Sequence, residues 1–174
     1  MPSRRAFYRF GSSLIGGAIG IGLAIPGVAF LLDPLRRGGG GSALKRELTR
    51  LGQLTVGKPQ AFPIIAERQD AWVKHPPEPV GTVWLIRQPE GTTPPVVAFT
   101  AECPHLGCLI TADEGGFVCP CHRAEFDLSG KKRNAVSPRG MDTLEVELSK
   151  DDDPVVTVLF QRFRTQAEEK IPLV

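Results

Sequence analysis

The sequence is poor in net charge, in tyrosine and in long helical periods, and each shortage narrows what it can do. A formal charge of +2 over 174 residues leaves no electrostatic footprint for a nucleic acid. Residues 1–42 hold five arginines and one aspartate, leaving 16 basic against 18 acidic residues in the remainder. Tyr8 is the only tyrosine, so a role that needs a phenolic hydroxyl has no candidate elsewhere in the chain. No internal repeat and no long internal helix period are present, which argues against a helical bundle. The length excludes an enzyme with separate substrate and cofactor domains, and allows one ordinary domain with an appendage. Disorder is excluded by 41% hydrophobic against 23% charged residues. Glycine and proline together number 35, which favours a loop-rich β protein.

Charge is missing altogether from Gly11 to Leu32. As a helix this stretch would span about 33 Å, close to a bilayer's hydrocarbon core. Tyr8 and Phe10 stand at one end and Asp33-Pro34 closes the other. Gly16 and Gly20 would let another helix approach closely, while Gly22 and Pro26 weaken this one. A cleaved signal peptide has a shorter apolar region, and Ala24-Ile25-Pro26-Gly27-Val28-Ala29 is a poor cleavage site, so a retained anchor is expected. Ser3-Arg4-Arg5-Ala6-Phe7 resembles a twin-arginine export signal. The alternative is that Arg4, Arg5 and Arg9 only hold the N-terminus in the cytoplasm, and Arg36 and Arg37 on the far side weaken that argument. The expected organisation is a cytoplasmic N-terminus over 1–10, an anchor over 11–32, a hinge and linker over 33–50, and a head over 51–174 outside the cell membrane. Gly38–Gly41 with Ser42 reads as a flexible tether, and the composition of Ala43–Leu51 predicts a turn or two of amphipathic helix.

Beyond Leu51, short β-rich runs alternate with turn signals such as Pro76-Pro77, Pro94-Pro95 and Glu114-Gly115-Gly116. Strands are expected near Leu54–Val56, Ala71–Lys74, Thr82–Arg87, Val96–Ala101, Phe117–Val118, Leu144–Leu148 and Val155–Phe163. The expected class is all-β, an antiparallel sandwich or barrel of about 120 residues.

All four cysteines and two of the three histidines fall between Cys103 and His122. They read Cys103-Pro104-His105-Leu106-Gly107-Cys108 and Cys119-Pro120-Cys121-His122. Two short clusters of soft and borderline ligands beside strands form a metal-site signature. A structural zinc site would leave two ligands idle, and two disulfides would leave both histidines unexplained. His75 lies outside both clusters and reads as a surface histidine.

These clusters resemble the Rieske iron–sulfur proteins of cytochrome bc complexes, whose pattern is C-T-H-L-G-C followed by C-P-C-H. The resemblance extends over the export signal, single anchor, glycine hinge and head. It implies a Rieske-type β head holding one [2Fe–2S] cluster, with Cys103 and Cys119 on one iron and His105 and His122 on the other. It also implies a disulfide between Cys108 and Cys121, suited to the oxidising side of a membrane. Soluble Rieske ferredoxins and ring-hydroxylating oxygenases lack that extra pair. A third loop normally covers the cluster; Ser137-Pro138-Arg139-Gly140 stands in its place, where Pro138 fits the usual Gly-Pro-rich pattern and the other residues depart from it.

Further departures concern potential. High-potential members carry a Ser and a Tyr after C-P-C-H whose hydroxyls bond to cluster sulfur. Here Ala124 and Phe126 stand there without hydroxyls, which implies a lower potential suited to menaquinol, although Arg123 could partly offset this. The resemblance implies a subunit of a quinol:cytochrome c oxidoreductase. His122 or His105 would face the quinol and Leu106 would pack in that docking surface. Its partners would be a cytochrome b subunit with b-type haems and a c-type cytochrome, reached by a swing of the head. The rival is the small subunit of an arsenite-oxidase-like molybdoenzyme, which shares motif and signal but has no need of a mobile tether.

Overall fold

With no charge between Gly11 and Leu32, the N-terminal stretch forms one helix, α1 (Arg4–Arg36), continuous through Gly22 and Pro26 in the computed structural model. Ser3 caps it, its Oγ accepting a hydrogen bond from the Ala6 N–H at 3.3 Å. Within Arg4–Asp33 the most apolar 18-residue stretch has a mean hydropathy of 2.1 and none of that stretch is buried, so the helix is long and apolar enough to cross a membrane. The structure describes residues 3–36, 43–67 and 73–173. The Gly38–Gly41 tether, and Ala71 and Trp72 of an expected strand, lie outside the described residues; Val73 and Lys74 belong to no named strand. The chain divides into two units, residues 1–40 and 41–174.

The second unit is built of nine antiparallel strands among the described residues: β1 (Leu44–Arg50), β2 (Gln60–Ala66), β3 (Glu78–Arg87), β4 (Val96–Thr100), β5 (Thr111–Asp113), β6 (Gly116–Cys119), β7 (Ala124–Asp127), β8 (Thr143–Leu148) and β9 (Val155–Phe160). Six form one sheet in the order β1-β9-β8-β4-β3-β2, and β5-β6-β7 form a second. The large sheet is nearly closed on itself. The Arg46 Nε on one edge strand donates to the Ile65 carbonyl on the other at 3.0 Å.

The β3–β4 pair is the wall between two cores. Val83, Leu85, Val96 and Ala98 point into the main core with Ile64, Val158 and Phe160. Their neighbours Trp84, Ile86, Val97 and Phe99 face a second core that contains Cys103, Phe117, Cys119 and Phe126. Strict alternation along a strand buried on both faces produces the continuous apolar runs of the sequence.

Several expectations are corrected. Residues 44–50 are neither linker nor helix but strand β1, paired with β9. Helix-forming composition is a weak prior, and here the edge of β9 and the inward alternation of Leu44, Arg46 and Leu48 outweigh it. Leu54–Val56 supplies a buried core leucine and one bridge, Val56 to Arg87, instead of a strand. Strand β2 was hidden by Pro63, whose missing N–H is tolerated because β2 is an edge strand. β5 and β7 are too short to read from pattern. β9 stops at Phe160. His75, read as a surface histidine, is half-buried.

The turn after β7 is fixed by Asp127. Its Oδ1 accepts from the Ser129 N–H at 2.8 Å, the Ser129 hydroxyl at 2.6 Å and the Lys131 N–H at 3.0 Å. Gly130 follows at φ +76, where an added Cβ would strike the Phe99 ring at 2.4 Å. Burial opposes ionisation of Asp127, but those hydrogen bonds and Arg133 outweigh it and hold the carboxyl below its usual value. A depressed folded pKa means that the stabilisation is full above the unfolded value of about 3.9 and is lost as pH falls through the folded one. Asp127→Asn should therefore be less stable than wild type in urea melts at pH 7, and the difference should shrink steadily as the melts are repeated from pH 5 down to pH 2.

Candidate metal centre

Two tight loops bring the cysteines and histidines together at the edge of the second core. In the first, the Cys103 N–H donates to the Cys108 carbonyl and the Gly107 N–H donates to the Cys103 carbonyl, both at 2.8 Å. The loop can close this tightly because Gly107 sits at φ +78, where a side chain would be strained and would crowd Glu102. The second loop joins β6 to β7, and the Arg123 N–H donates to the Cys119 carbonyl at 2.9 Å. Arg123 holds φ +57 without being glycine, and the Asn134 side-chain amide steadies it by donating to its carbonyl at 2.7 Å.

The four cysteines divide into two kinds. Cys108 and Cys121 form a disulfide with Cα atoms 6.6 Å apart, tying the loops together. Cys103 and Cys119 are free and fully buried. The sulfurs of Cys108, Cys119 and Cys121 lie within 4.8 Å of one another. That trio is not a ligand set, because two of its members are spent in the disulfide.

Burial pushes the Cys103 thiol up to about 11; the His105 backbone amide pulls it down, the hydrogen-bonded Cys119 thiol raises it again, and the Leu106 amide lowers it. Such a thiol keeps its proton at neutral pH until a cation displaces it. The same two amides are placed to stabilise a thiolate once it forms.

The histidines close the site from the solvent side. The His105 and His122 rings meet edge to face with centroids 4.9 Å apart, His105 half-buried and His122 exposed. Leu106 between the ligand-type residues is 46% exposed. Two buried free thiols and two adjacent imidazoles, one exposed and one half-buried, with the other cysteines withdrawn by oxidation, make available two sulfurs and two nitrogens. That set fits an asymmetrically ligated [2Fe–2S] cluster.

Ala124 and Phe126 are both fully buried, Phe126 opposite Phe117 on β6. Pro138 is half-buried in the third loop, which Lys132 holds by donating to the Ser137 and Pro138 carbonyls at 3.3 and 3.0 Å. Four residues that motif reasoning did not single out for support shape the site: Asn134, Lys132, Arg139 and Asp142. Arg139 and Asp142 form a buried ion pair. Their i,i+3 spacing was visible in the sequence, but without a helix it carried no meaning.

Opening the disulfide should weaken the fold more than the donor set. A loop of this size is worth about 3 kcal/mol through the unfolded chain, so Cys108→Ser should lower the unfolding free energy by about that amount. It should still take up iron in reconstitution. Cys103→Ser should take up little, measured as iron per chain.

A family model described as the Rieske [2Fe-2S] domain matches residues 56–145. The chain is 27% identical over 133 residues to the menaquinol:cytochrome c reductase iron–sulfur subunit of Bacillus subtilis (strain 168), covering 74% of this chain and 75% of that protein. It is 32% identical over 150 residues to the cytochrome b6-f complex iron–sulfur subunit of Prochlorococcus marinus subsp. pastoris (strain CCMP1986 / NIES-2087 / MED4), covering 81% and 77%. Among solved structures it is similar to the plasma membrane Rieske protein PetC3 of Synechocystis PCC 6803, with 31% identity, a TM-score of 0.36 and coverage of 45% of this chain and 79% of that one.

Proposed function

The chain belongs to the Rieske [2Fe–2S] proteins, and on that footing we propose that it is the iron–sulfur subunit of a quinol:cytochrome c oxidoreductase working on menaquinol. The observation that carries the reading is the pairing of two buried free thiols with two adjacent imidazoles, one exposed and one half-buried. Cys103 and Cys119 would hold one iron and His105 and His122 the other. When bound, such a cluster supplies a one-electron acceptor whose potential is raised by the neutral imidazole ligands. The chain's own part is to present that acceptor. The exposed His122 ring would meet a quinol oxygen through the nitrogen that holds no iron, and would accept the quinol's hydrogen bond and proton there only with that nitrogen deprotonated. Leu106 offers an apolar surface beside it. Behind the histidines, the second core keeps water from the thiol side.

In this reading α1 is a single anchor with its N-terminus in the cytoplasm, and Ser3–Phe7 is a twin-arginine address that exports the head already folded. The second electron of the quinol passes to a b-type haem of a partner cytochrome b. The head swings on Gly38–Gly41 to serve a c-type cytochrome. Redox titration by electron paramagnetic resonance on purified membranes should reveal a Rieske signal, and b-type haem should co-purify. Molybdopterin in its place would favour the arsenite-oxidase-like reading.

Menaquinol is the donor suggested by Ala124 and Phe126, which leave cluster sulfur without two hydroxyl donors. Losing hydrogen bonds to sulfur disfavours the more negative reduced state. Ala124→Ser and Phe126→Tyr should therefore raise the midpoint potential stepwise. A combined gain of about 60 mV, or about 1.4 kcal/mol for one electron, is in keeping with one or two buried hydrogen bonds. A wild-type midpoint near the top of the Rieske range, or a double variant that leaves it unmoved, would defeat the menaquinol assignment. Deleting Gly38–Gly41 should leave a normal resonance signal while cytochrome c reduction in membranes falls.

A further inference from the structure

Beyond the family-matched region, the C-terminal segment folds into a small hairpin with no assigned purpose. The Leu173 N–H donates to the Arg162 carbonyl and the Arg164 N–H to the Ile171 carbonyl, both at 2.8 Å. Phe163 anchors it, buried in the main core and bridged to Pro172. The tip of the hairpin reaches two of the site's loops at once. On one side the Gln166 N–H donates to the Pro104 carbonyl at 2.9 Å, next to Cys103. Arg162 also pairs through both of its donor arms with Glu102, the residue before Cys103, at 3.0 and 2.8 Å. On the other side Arg139 of the third loop grips the tip. Its Nη2 donates to the Arg164 carbonyl at 2.8 Å and its Nη1 to the Ala167 carbonyl.

Arg139 can do this because its fork is already aimed. Asp142 takes its Nε and Nη2 at 2.8 and 2.7 Å, and the two side chains are only 10% and 4% exposed. A buried charge pair of this kind is sustained only when its remaining donors are also satisfied, and here the tail's carbonyls satisfy them. The third loop thus requires the tail, and the tail is also fastened to the first loop.

We propose that the C-terminal hairpin is a clamp on the metal centre, with Arg139 and the Gln166 backbone as positioning groups that hold the third and first loops in place. The clamp rests on the reading above only in that a cluster lies between those loops. Nothing in it needs Arg139 or Gln166 to touch the cluster. Arg139 makes four hydrogen bonds from one planar fork, two to Asp142 and two to carbonyls, one more than the three N–H donors of a lysine ammonium, so Arg139→Lys keeps the charge and loses the grip. Gln166 has an exposed side chain and φ +58. Proline there removes the N–H and forbids that φ, while glycine keeps both.

The test uses the full-length chain, purified with its cluster. Hydrogen exchange by mass spectrometry is followed in residues 103–110, 130–142 and 162–173, with β2 as internal reference, since Lys170 of the hairpin also bonds Thr143 of β8. Arg139→Lys and Gln166→Pro should each speed exchange in both loops at least tenfold and leave β2 unchanged. They should also broaden the resonance spectrum of the reduced centre, and Gln166→Gly should behave as wild type. If the tail segment exchanges faster in Gln166→Pro while both loops and the spectrum stay as they were, the hairpin is a passive end and the proposal is overturned. Should Arg139→Lys not accumulate, Gln166→Pro against Gln166→Gly decides alone. A wild-type chain lacking the spectrum would overturn the functional reading, while the loop exchange rates would still uphold or overturn the clamp.

Discussion

Everything at the metal centre depends on two thiols being both buried and free. A buried thiol resists ionisation, as the elevated Cys103 shows, so the pocket is a poor home for anything except a soft cation that can replace the proton. Of the histidines, His122 is exposed and His105 half-buried, so these rings are the part of the site open to water. The thiols and the imidazoles therefore differ in access as well as in chemistry. The disulfide preserves that division by removing from competition the two other cysteines close enough to interfere.

The burial itself is a product of the sheet. Because β3 and β4 are apolar on both faces, one pair of strands seals the main core and floors the second. The two cysteine–histidine loops leave from that floor, Cys103 just after β4 and Cys119 at the end of β6. The loops inherit rigidity from the strands through short backbone hydrogen bonds. Two left-handed residues, Gly107 and Arg123, make the turns tight enough.

The sequence made the site legible before the fold. The cysteine and histidine spacings carried their chemistry locally, because each loop spans only a few residues. The helix α1 was equally plain, since an uncharged run of that length has few uses. Strand β1 was not legible: Leu44–Arg50 has helix-forming residues, and only the waiting edge of β9, more than a hundred residues away, makes it extend. β2 was masked by Pro63 for a related reason, as edge position is a property of the sheet and not of the segment. Arg139 looked like a mere departure from a Gly-Pro-rich loop. Its meaning lies in carbonyls of Arg164 and Ala167, which no local pattern could link to it.

The way the large sheet ends has a consequence for contact between copies of the protein. An open β edge offers a row of unused donors and acceptors on which a second molecule can grow. Here one edge strand carries Pro63, with no N–H to offer, and gives the Ile65 carbonyl to Arg46 of the other edge. With its borders turned toward each other, the sheet presents little template for strand addition. A neighbouring copy therefore gains little by docking strand to strand against the large sheet.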